Sequence, residues 1–369
     1  MKRRLSEAVP RSDQGIWVHG DHLPVLPAES RVTLGEGSTP MLSLQNTSEL
    51  FFQGIPLWAK AEHMNPTGSF KDRIAPLAAS LAKRDGRRFI LGTSSGNGGA
   101  SVAAYGTRVG IPVVILTSPN AASAKLTQIR AVGGDVIHVE GMGTGPDVLD
   151  DLIPIVHDVC DAHDGMPFLT GFRYMPDAMT GVATIWSEIV ADVGEPSAVY
   201  VPVGGGGLIT GIHLGLRKTA SGTRLVGVQP EGCATLLAAL NGRPGRVQSV
   251  GTGISGLQVA RLFDESGAVR AVLETQGRVV TVSDQHIRDV QTHLARTEGV
   301  LVEPAGAVAL AGAIAEARAG LIGPDDVVVV MLTGAAHKDA PSLDALGSAN
   351  SPRVDLGSID ATVVELLEG

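Results

Sequence analysis

The sequence contains few cysteines, and the two that it has lie far apart in the chain. Cys160 and Cys233 form no C-x-x-C pair and have no spacing that is typical of metal ligands. A protein of the reducing cytoplasm, without a bound metal, is the expectation that follows.

Long apolar runs and runs of positive charge are also missing. No apolar stretch approaches the about 20 residues that a membrane-spanning helix needs, and the first ten residues lack the apolar segment of a signal peptide. The formal net charge is -9, with no basic run to offset it. We therefore expect neither a membrane nor nucleic acid as a partner, and any anionic ligand must be held by local groups.

Aromatic residues make up only 4% of the chain, whereas glycine is abundant, with 47 residues. Such a composition is typical of a fold with many tight turns between strands and helices. Segments of helical and strand character alternate from residue 74 onward, and a chain of 369 residues exceeds one typical domain. The pattern predicts an α/β fold with two lobes, each with a mostly parallel sheet flanked by helices.

Lys71 is the first candidate functional residue. The segment E-H-M-N-P-T-G-S-F-K-D-R, residues 62–73, places turn-forming residues before Ser69, which stands at a helix N-cap position. Lys71 would then lie in the first turn of a helix, where the helix dipole favours the neutral, nucleophilic amine. The alternative is a solvated lysine on a surface helix.

A second candidate is the loop T-S-S-G-N-G-G-A-S, residues 93–101, between a predicted strand and a predicted helix. Loops at the carboxyl ends of parallel strands line ligand clefts, and a helix start offers N–H donors to an anion. Ser94, Ser95 and Asn97 add hydroxyl and amide donors, which suit a carboxylate. Taken alone, such a loop is usually only a turn.

Two further candidates follow predicted strands in the second half of the chain. Gly204, Gly205, Gly206 and Gly207 precede a helix, so their backbone can close around a phosphate, although they lack the lysine of a nucleotide-binding P-loop. Thr333 follows the apolar run at residues 327–331, and a hydroxyl there can hydrogen-bond a pyridine nitrogen without protonating it.

The nine residues N-P-T-G-S-F-K-D-R resemble the lysine segment of fold-type II pyridoxal phosphate enzymes, and most closely that of threonine synthases. The segments L-G-E-G-S-T-P, at residues 34–40, and L-T-G-A-A-H-K-D, at residues 332–339, resemble the same family. The resemblance implies pyridoxal 5'-phosphate as the cofactor, held in the cleft between the lobes and bound as a Schiff base by Lys71. It further implies that the cofactor's phenolic oxygen contacts Asn97, its phosphate Gly204 to Gly207 and its ring nitrogen Thr333, and that the substrate carboxylate meets Ser94 and Ser95.

The resemblance also implies a domain division and an assembly. A large cofactor-binding domain would comprise residues 1–73 and 161–345, a small mobile domain residues 74–160, and a C-terminal tail residues 346–369. A homodimer acting on a small amino acid substrate is expected from the family.

The sequence departs from threonine synthases in one segment. Their N-P-x-R-x-E-G-x-x-T pattern carries an arginine for the substrate phosphate, but Ala178 stands at that position here, and Arg173 is out of register. A threonine or serine dehydratase therefore remains an alternative, as does a specialised β-replacement synthase. Glu303 either caps the following helix or belongs to the cofactor site, and Gln229 stands where some dehydratases have a metal-binding glutamate.

Overall fold

A computed structural model describes residues 14–94, 96–142, 147–347 and 353–368. The strands in this part of the chain are β1 (Met41–Ser43), β2 (Leu57–Lys60), β3 (Phe89–Thr93), β4 (Val113–Thr117), β5 (Asp135–His138), β6 (Gly165–Phe168), β7 (Ala198–Pro202), β8 (Arg224–Pro230), β9 (Arg278–Val282) and β10 (Val328–Met331).

The helices surround these strands. They are α1 (Gln45–Phe51), α2 (Ala75–Arg84), α3 (Asn97–Arg108), α4 (Ser123–Ala131), α5 (Asp147–His163), α6 (Pro176–Met179), α7 (Thr184–Val193), α8 (Gly207–Leu216), α9 (Thr235–Leu240), α10 (Glu265–Glu274), α11 (Asp284–His293), α12 (Pro304–Arg318), α13 (Ala340–Leu346) and α14 (Ile359–Glu368). Short 3₁₀ helices occur at Gly15–His22, Ala28–Ser30, Glu62–Met64, Phe70–Arg73, Thr180–Ala183, Glu231–Cys233, Ala336–Lys338 and Leu356–Ser358, and a π-helical turn at Leu294–Glu298.

The strands form two sheets. One has six strands in the order β1-β2-β10-β7-β8-β9, and the other has four in the order β5-β4-β3-β6. All neighbouring strands are parallel except β1, which runs antiparallel to β2. The predicted α/β class, with two mostly parallel sheets flanked by helices, is confirmed. No helix in the described residues is long and apolar enough to cross a membrane.

The four-stranded sheet extends beyond the predicted end of the small domain. Its edge strand β6, Gly165–Phe168, pairs with β3 although it follows residue 160. We therefore propose that the chain returns to the large domain after β6. The rest of the domain division stays a prediction.

Helix α12 lies against the six-stranded sheet and is buried over most of its length. Alanine and glycine dominate it, and a Cβ on Gly312 would come within 2.5 Å of the Val228 side chain. The small residues therefore let the helix approach the sheet closely. This packing fixes Glu303, which directly precedes α12, beside the end of β10.

Candidate active site

The lysine turn is attached to the end of strand β10. Phe70 N donates to Thr333 O at 3.1 Å, and Ala335 N donates to Gly68 O at 2.9 Å. Lys71 lies in the 3₁₀ turn Phe70–Arg73, and α2 begins only at Ala75. Ser69 stands at the N-cap position of this turn, as predicted, but its hydroxyl makes no capping hydrogen bond and is buried without a partner.

The amine of Lys71 lines a cavity and donates from Nζ to Thr170 Oγ1 at 3.2 Å. Burial lowers the pKa of Lys71 to about 8, against an opposing effect of the Asp264 carboxylate. The main cause is thus desolvation of the charged form rather than a helix terminus. An amine with this pKa is still protonated in most molecules at pH 7, but its neutral fraction is about a few hundredfold larger than that of an exposed lysine, so it can act as a nucleophile and a base.

Two buried side chains that follow Lys71 hold the turn in place. Asp72 accepts from Thr67 N and Thr67 Oγ1, both at 2.6 Å, and from Ser101 Oγ at 2.5 Å. Arg73 donates to Glu62 Oε1 at 2.6 Å and to Glu188 Oε1 at 2.5 Å. The chain on both sides of Lys71 is therefore fixed to neighbouring elements.

Ser94, in the loop before α3, and Asn97, the first residue of α3, line the same cavity. Ser94 Oγ accepts from Gly96 N at 3.1 Å and from Gly99 N at 2.9 Å, so it satisfies the first turn of α3 and keeps its own proton for a ligand. Asn97 Nδ2 donates to Glu303 Oε1 at 2.6 Å, while Asn97 Oδ1 is buried without a partner. Ser95 lies outside the described residues.

The glycine loop joins β7 to α8 and borders the cavity with all four of its glycines. Gly206 has φ +91°, which favours glycine, and a Cβ on Gly205 would lie 2.8 Å from the Phe263 ring. A Cβ on Gly207 would lie 2.6 Å from Met179 Cε. Side chains are thus excluded, and the backbone and the N-terminus of α8 face the cavity, as an anion site requires.

Thr333 lies at the carboxyl end of β10, also at the cavity wall, with its Oγ1 3.4 Å from Ala305 O. Glu303 is its neighbour across the strand end. The carboxylate of Glu303 does not cap α12, so one of the two alternatives for this residue is wrong.

One cavity of about 450 Å³ brings together the predicted residues Lys71, Ser94, Asn97, Gly204 to Gly207 and Thr333. The sequence did not single out Lys125, Arg261 and Thr170, which also line it. Arg261 comes from the long segment between α9 and α10. Nothing in the sequence around Lys125 indicates a functional role, because this segment has the pattern of an ordinary surface helix.

The expected phosphate-binding arginine has no substitute in its own segment. Ala178 is buried, with 1% of its surface exposed. Arg173 is exposed, and its guanidinium lies over the Tyr174 ring, 5.8 Å from the centroid, rather than in the cavity. Among the described residues, the cationic side chains of the cavity wall are those of Lys71, Lys125 and Arg261.

The residues present fit pyridoxal phosphate. A buried low-pKa lysine suits its aldehyde, and a side-chain-free glycine loop at a helix start suits its phosphate. The amide of Asn97, whose oxygen lacks a partner, and the hydroxyl of Thr333 offer further polar groups at the cavity wall. No group of three or more His, Cys, Asp or Glu residues suited to a metal ion occurs in the part of the chain that the structure describes.

Comparisons with known proteins agree with this geometry. The chain is 32% identical to a threonine synthase of Methanosarcina acetivorans over 94% of this chain and 85% of that protein, and 30% identical to a threonine synthase of a Bacillus species over 94% and 95%. A solved threonine deaminase from T.th. superposes with a TM-score of 0.68 at 26% identity, over 80% of this chain and 92% of that one.

A second solved structure, the processed form of threonine deaminase isoform 2 from Solanum lycopersicum, has a TM-score of 0.73 at 24% identity and covers 91% of this chain and 93% of its own. It shows the likeness in fold. The profile of the family described as pyridoxal-phosphate dependent enzyme matches residues 32–334. The chain therefore belongs to the pyridoxal-phosphate dependent enzyme family, with the fold-type II architecture.

Proposed function

We propose that the protein is a pyridoxal phosphate-dependent lyase of the threonine synthase type, which converts phosphohomoserine and water to threonine and phosphate. The observation that carries the proposal is the extent of the similarity, since the match to a threonine synthase covers 94% of this chain. The cavity supports it, because it holds a low-pKa amine, a glycine loop at a helix start and two further cations.

Bound pyridoxal phosphate supplies an electron-accepting ring that stabilises negative charge at the substrate Cα. We assign the proton transfers to Lys71. Once the amino acid has displaced it, its Nζ would take the Cα proton, release it to solvent, and then take a Cβ proton. Phosphate would leave Cγ with the bonding electrons, and the ammonium of Lys71 would return its proton to Cγ. Water would add its hydroxyl to Cβ and its proton to the released phosphate, and a proton from solvent would return to Cα to give threonine.

Other residues of the cavity would bind and orient the reactants. The Ser94 hydroxyl, whose oxygen already accepts two backbone N–H groups, has a proton to donate to the substrate carboxylate. The hydroxyl of Thr333 would meet the ring nitrogen, and Gly204 to Gly207 the cofactor phosphate. Together they would hold the substrate so that its Cα–H bond can face Lys71, as proton transfer requires.

Arg261 and Lys125 are the candidates for holding the substrate phosphate in place of an arginine at position 178. Arg261 Nη1 donates to Asp150 Oδ1 at 2.5 Å, and both side chains are partly exposed at the cavity. A pair that is open to solvent is weak, so a phosphate can replace the carboxylate as the partner of the guanidinium.

The test is incubation of the cofactor-loaded protein with phosphohomoserine, and separately with threonine and with serine. Inorganic phosphate, threonine and 2-oxo acids are assayed, with Lys71→Ala as the inactive control. Equal amounts of phosphate and threonine support the proposal, whereas inert phosphohomoserine would overturn it.

A threonine or serine dehydratase is the second candidate, favoured by two observations. All four residues of the phosphate loop are glycine, and the expected arginine is replaced by the buried Ala178. The solved threonine deaminase at 26% identity is consistent with this activity. In the same assay, a 2-oxo acid formed from threonine or serine, with no phosphate release, identifies it.

We further propose that the enzyme is a cytoplasmic homodimer. The dimer is expected from the resemblance to the family, and the cysteine content is consistent with a reducing compartment. Light scattering on the purified holoenzyme measures the mass directly, and a monomeric mass would contradict the dimer.

A further inference from the structure

Glu303 is a buried carboxylate at the cavity wall that accepts a hydrogen bond from one helix beside the other sheet and forms an ion pair with a second. Its Oε1 accepts from Asn97 Nδ2 of α3 at 2.6 Å, and its Oε2 lies 2.9 Å from Lys125 Nζ of α4. Only 1% of Glu303 is exposed, and 1% of Lys125. A single side chain beside the six-stranded sheet thus joins two helices that flank the four-stranded sheet.

The backbone around Glu303 is fixed to the segment that carries Thr333. Glu303 N donates to Gly334 O at 2.9 Å, and Val302 bridges to Ala335. A Cβ on Gly334 would lie 2.2 Å from Glu303 Oε1. The missing side chain of Gly334, which follows Thr333, therefore makes room for the carboxylate of Glu303. The position of that carboxylate is fixed by this space.

Lys125 is enclosed in a way that makes this partner necessary. A Cβ on Gly96 would lie 2.2 Å from Lys125 Cδ, so the lysine stem fills the space that a side chain at position 96 would need. Its Nζ donates to Ser255 Oγ at 3.0 Å, and Glu303 supplies the negative charge. A buried cation without such a partner is costly.

The charge on Glu303 also decides how the amide of Asn97 is oriented. An ionised carboxylate only accepts hydrogen bonds, so it selects the Nδ2 side of the amide. Nδ2 carries two hydrogen atoms, and one of them remains after the bond to Glu303. The phenolic oxygen of a cofactor can accept a hydrogen bond from that second N–H group.

We propose that Glu303 is a positioning residue, which fixes the amide of Asn97 through one N–H of Nδ2, leaves the second N–H of Nδ2 for the cofactor, and fixes the ammonium of Lys125 at the cavity wall. The proposal rests on the proposed placement of Asn97 beside the cofactor. It does not depend on which amino acid the enzyme converts. The role differs from helix capping, which the carboxylate does not perform.

Glu303→Gln tests the role, because glutamine keeps the shape but can donate as well as accept. We expect the holoenzyme to retain the covalent link to Lys71, to show an altered visible absorption spectrum of the bound cofactor, and to bind the cofactor about tenfold to hundredfold more weakly, as expected for a lost charge-assisted hydrogen bond.

Glu316→Gln is the matched control. Glu316 is also a buried carboxylate and lies on α12, but it contacts Arg278 and Tyr200 and does not line the cavity. It should change stability without changing the spectrum or the affinity for the cofactor.

A double-mutant cycle with Asn97→Ala separates positioning from a purely structural role. If Glu303 acts through Asn97, the double variant should bind the cofactor no more than a few-fold more weakly than Asn97→Ala alone. Independent, multiplying effects would overturn the proposal, as would a wild-type spectrum and affinity in Glu303→Gln. Glu303→Asp, which keeps the charge, replaces Glu303→Gln in the cycle if the latter does not fold.

The two proposals can fail separately. If phosphohomoserine is inert but the cycle shows that Glu303 acts through Asn97, the proposed function is rejected and this inference stands.

Discussion

Two groups of buried charges flank the lysine turn, and they are built differently. In the first group, Arg73 pairs with Glu62 and Glu188, and Lys60 Nζ lies 2.8 Å from Glu188 Oε2. The side-chain exposures in this group are 0% to 6%. None of these four residues lines the cavity. In the second group, Glu303 pairs with Lys125 and Asn97, and all three residues line the cavity.

The difference separates a structural role from a functional one. In the Arg73 group each charge is neutralised by protein partners, so its contacts serve the folded state alone. In the Glu303 group a buried amide oxygen of Asn97 lacks a partner, and polar atoms face a space that a ligand can fill. Similar ion pairs therefore have different consequences, according to what lies on their open side.

Lys71, between the two groups, should give the largest effect on activity. Lys71→Ala removes both the proposed base and the proposed covalent link to the cofactor, so we expect turnover to fall by about 10²-fold to 10⁴-fold or more. Thermal unfolding of the cofactor-free protein should show no loss of stability, since the variant leaves both charge groups intact. A large loss of stability would mean that Lys71 belongs to the structural group.

Arg73→Met should give the largest effect on stability. The change leaves Glu62 and Glu188 buried without their partner, so the free energy of unfolding should fall by about 3–5 kcal/mol. Urea unfolding measures the loss. Arg84→Met is the control, because Arg84 pairs with Asp85 at the surface of the neighbouring helix α2. If both variants unfolded at the same urea concentration, the distinction between the groups would be lost.

The pH dependence of cofactor attachment tests whether the amine of Lys71 is buried. Its pKa is lowered to about 8 by burial, so below pH 8 the amine is protonated and cannot attack. The rate of covalent attachment to the cofactor-free protein should rise about tenfold per pH unit up to 8 and then level off. Stopped-flow absorbance follows it. A rate that rises up to pH 10, as for an exposed lysine, would contradict the burial of the amine.

Ser94→Ala should give the smallest effect. The Ser94 hydroxyl accepts from two N–H groups at the start of α3, so its loss should cost about 1 kcal/mol of stability. Because the same hydroxyl is assigned to the substrate carboxylate, KM for the amino acid should rise more than kcat falls. Ser94→Thr should restore part of both. An unchanged KM would remove Ser94 from the proposed substrate site.

The segments that follow strands were the most informative for predicting the candidate site. The lysine turn, the glycine loop and the residue Thr333 each follow a short apolar strand, and local sequence places them at the carboxyl edges of the sheets. Local sequence does not indicate strand β6, because Gly165–Phe168 is short and contains proline, and it pairs with β3 only after the chain has passed through α5.

The sequence by itself determined the fold class, because strand and helix periodicity are local properties, and its resemblance to fold-type II enzymes implied the cofactor and Lys71 as the residue that would bind it. Only the tertiary structure decided what lowers the pKa of Lys71, which charges are closed off, and that Glu303 contacts Asn97 and Lys125 rather than capping α12. The reason is physical: desolvation and charge pairing depend on groups that are distant in the chain, and the sequence does not state which of them meet.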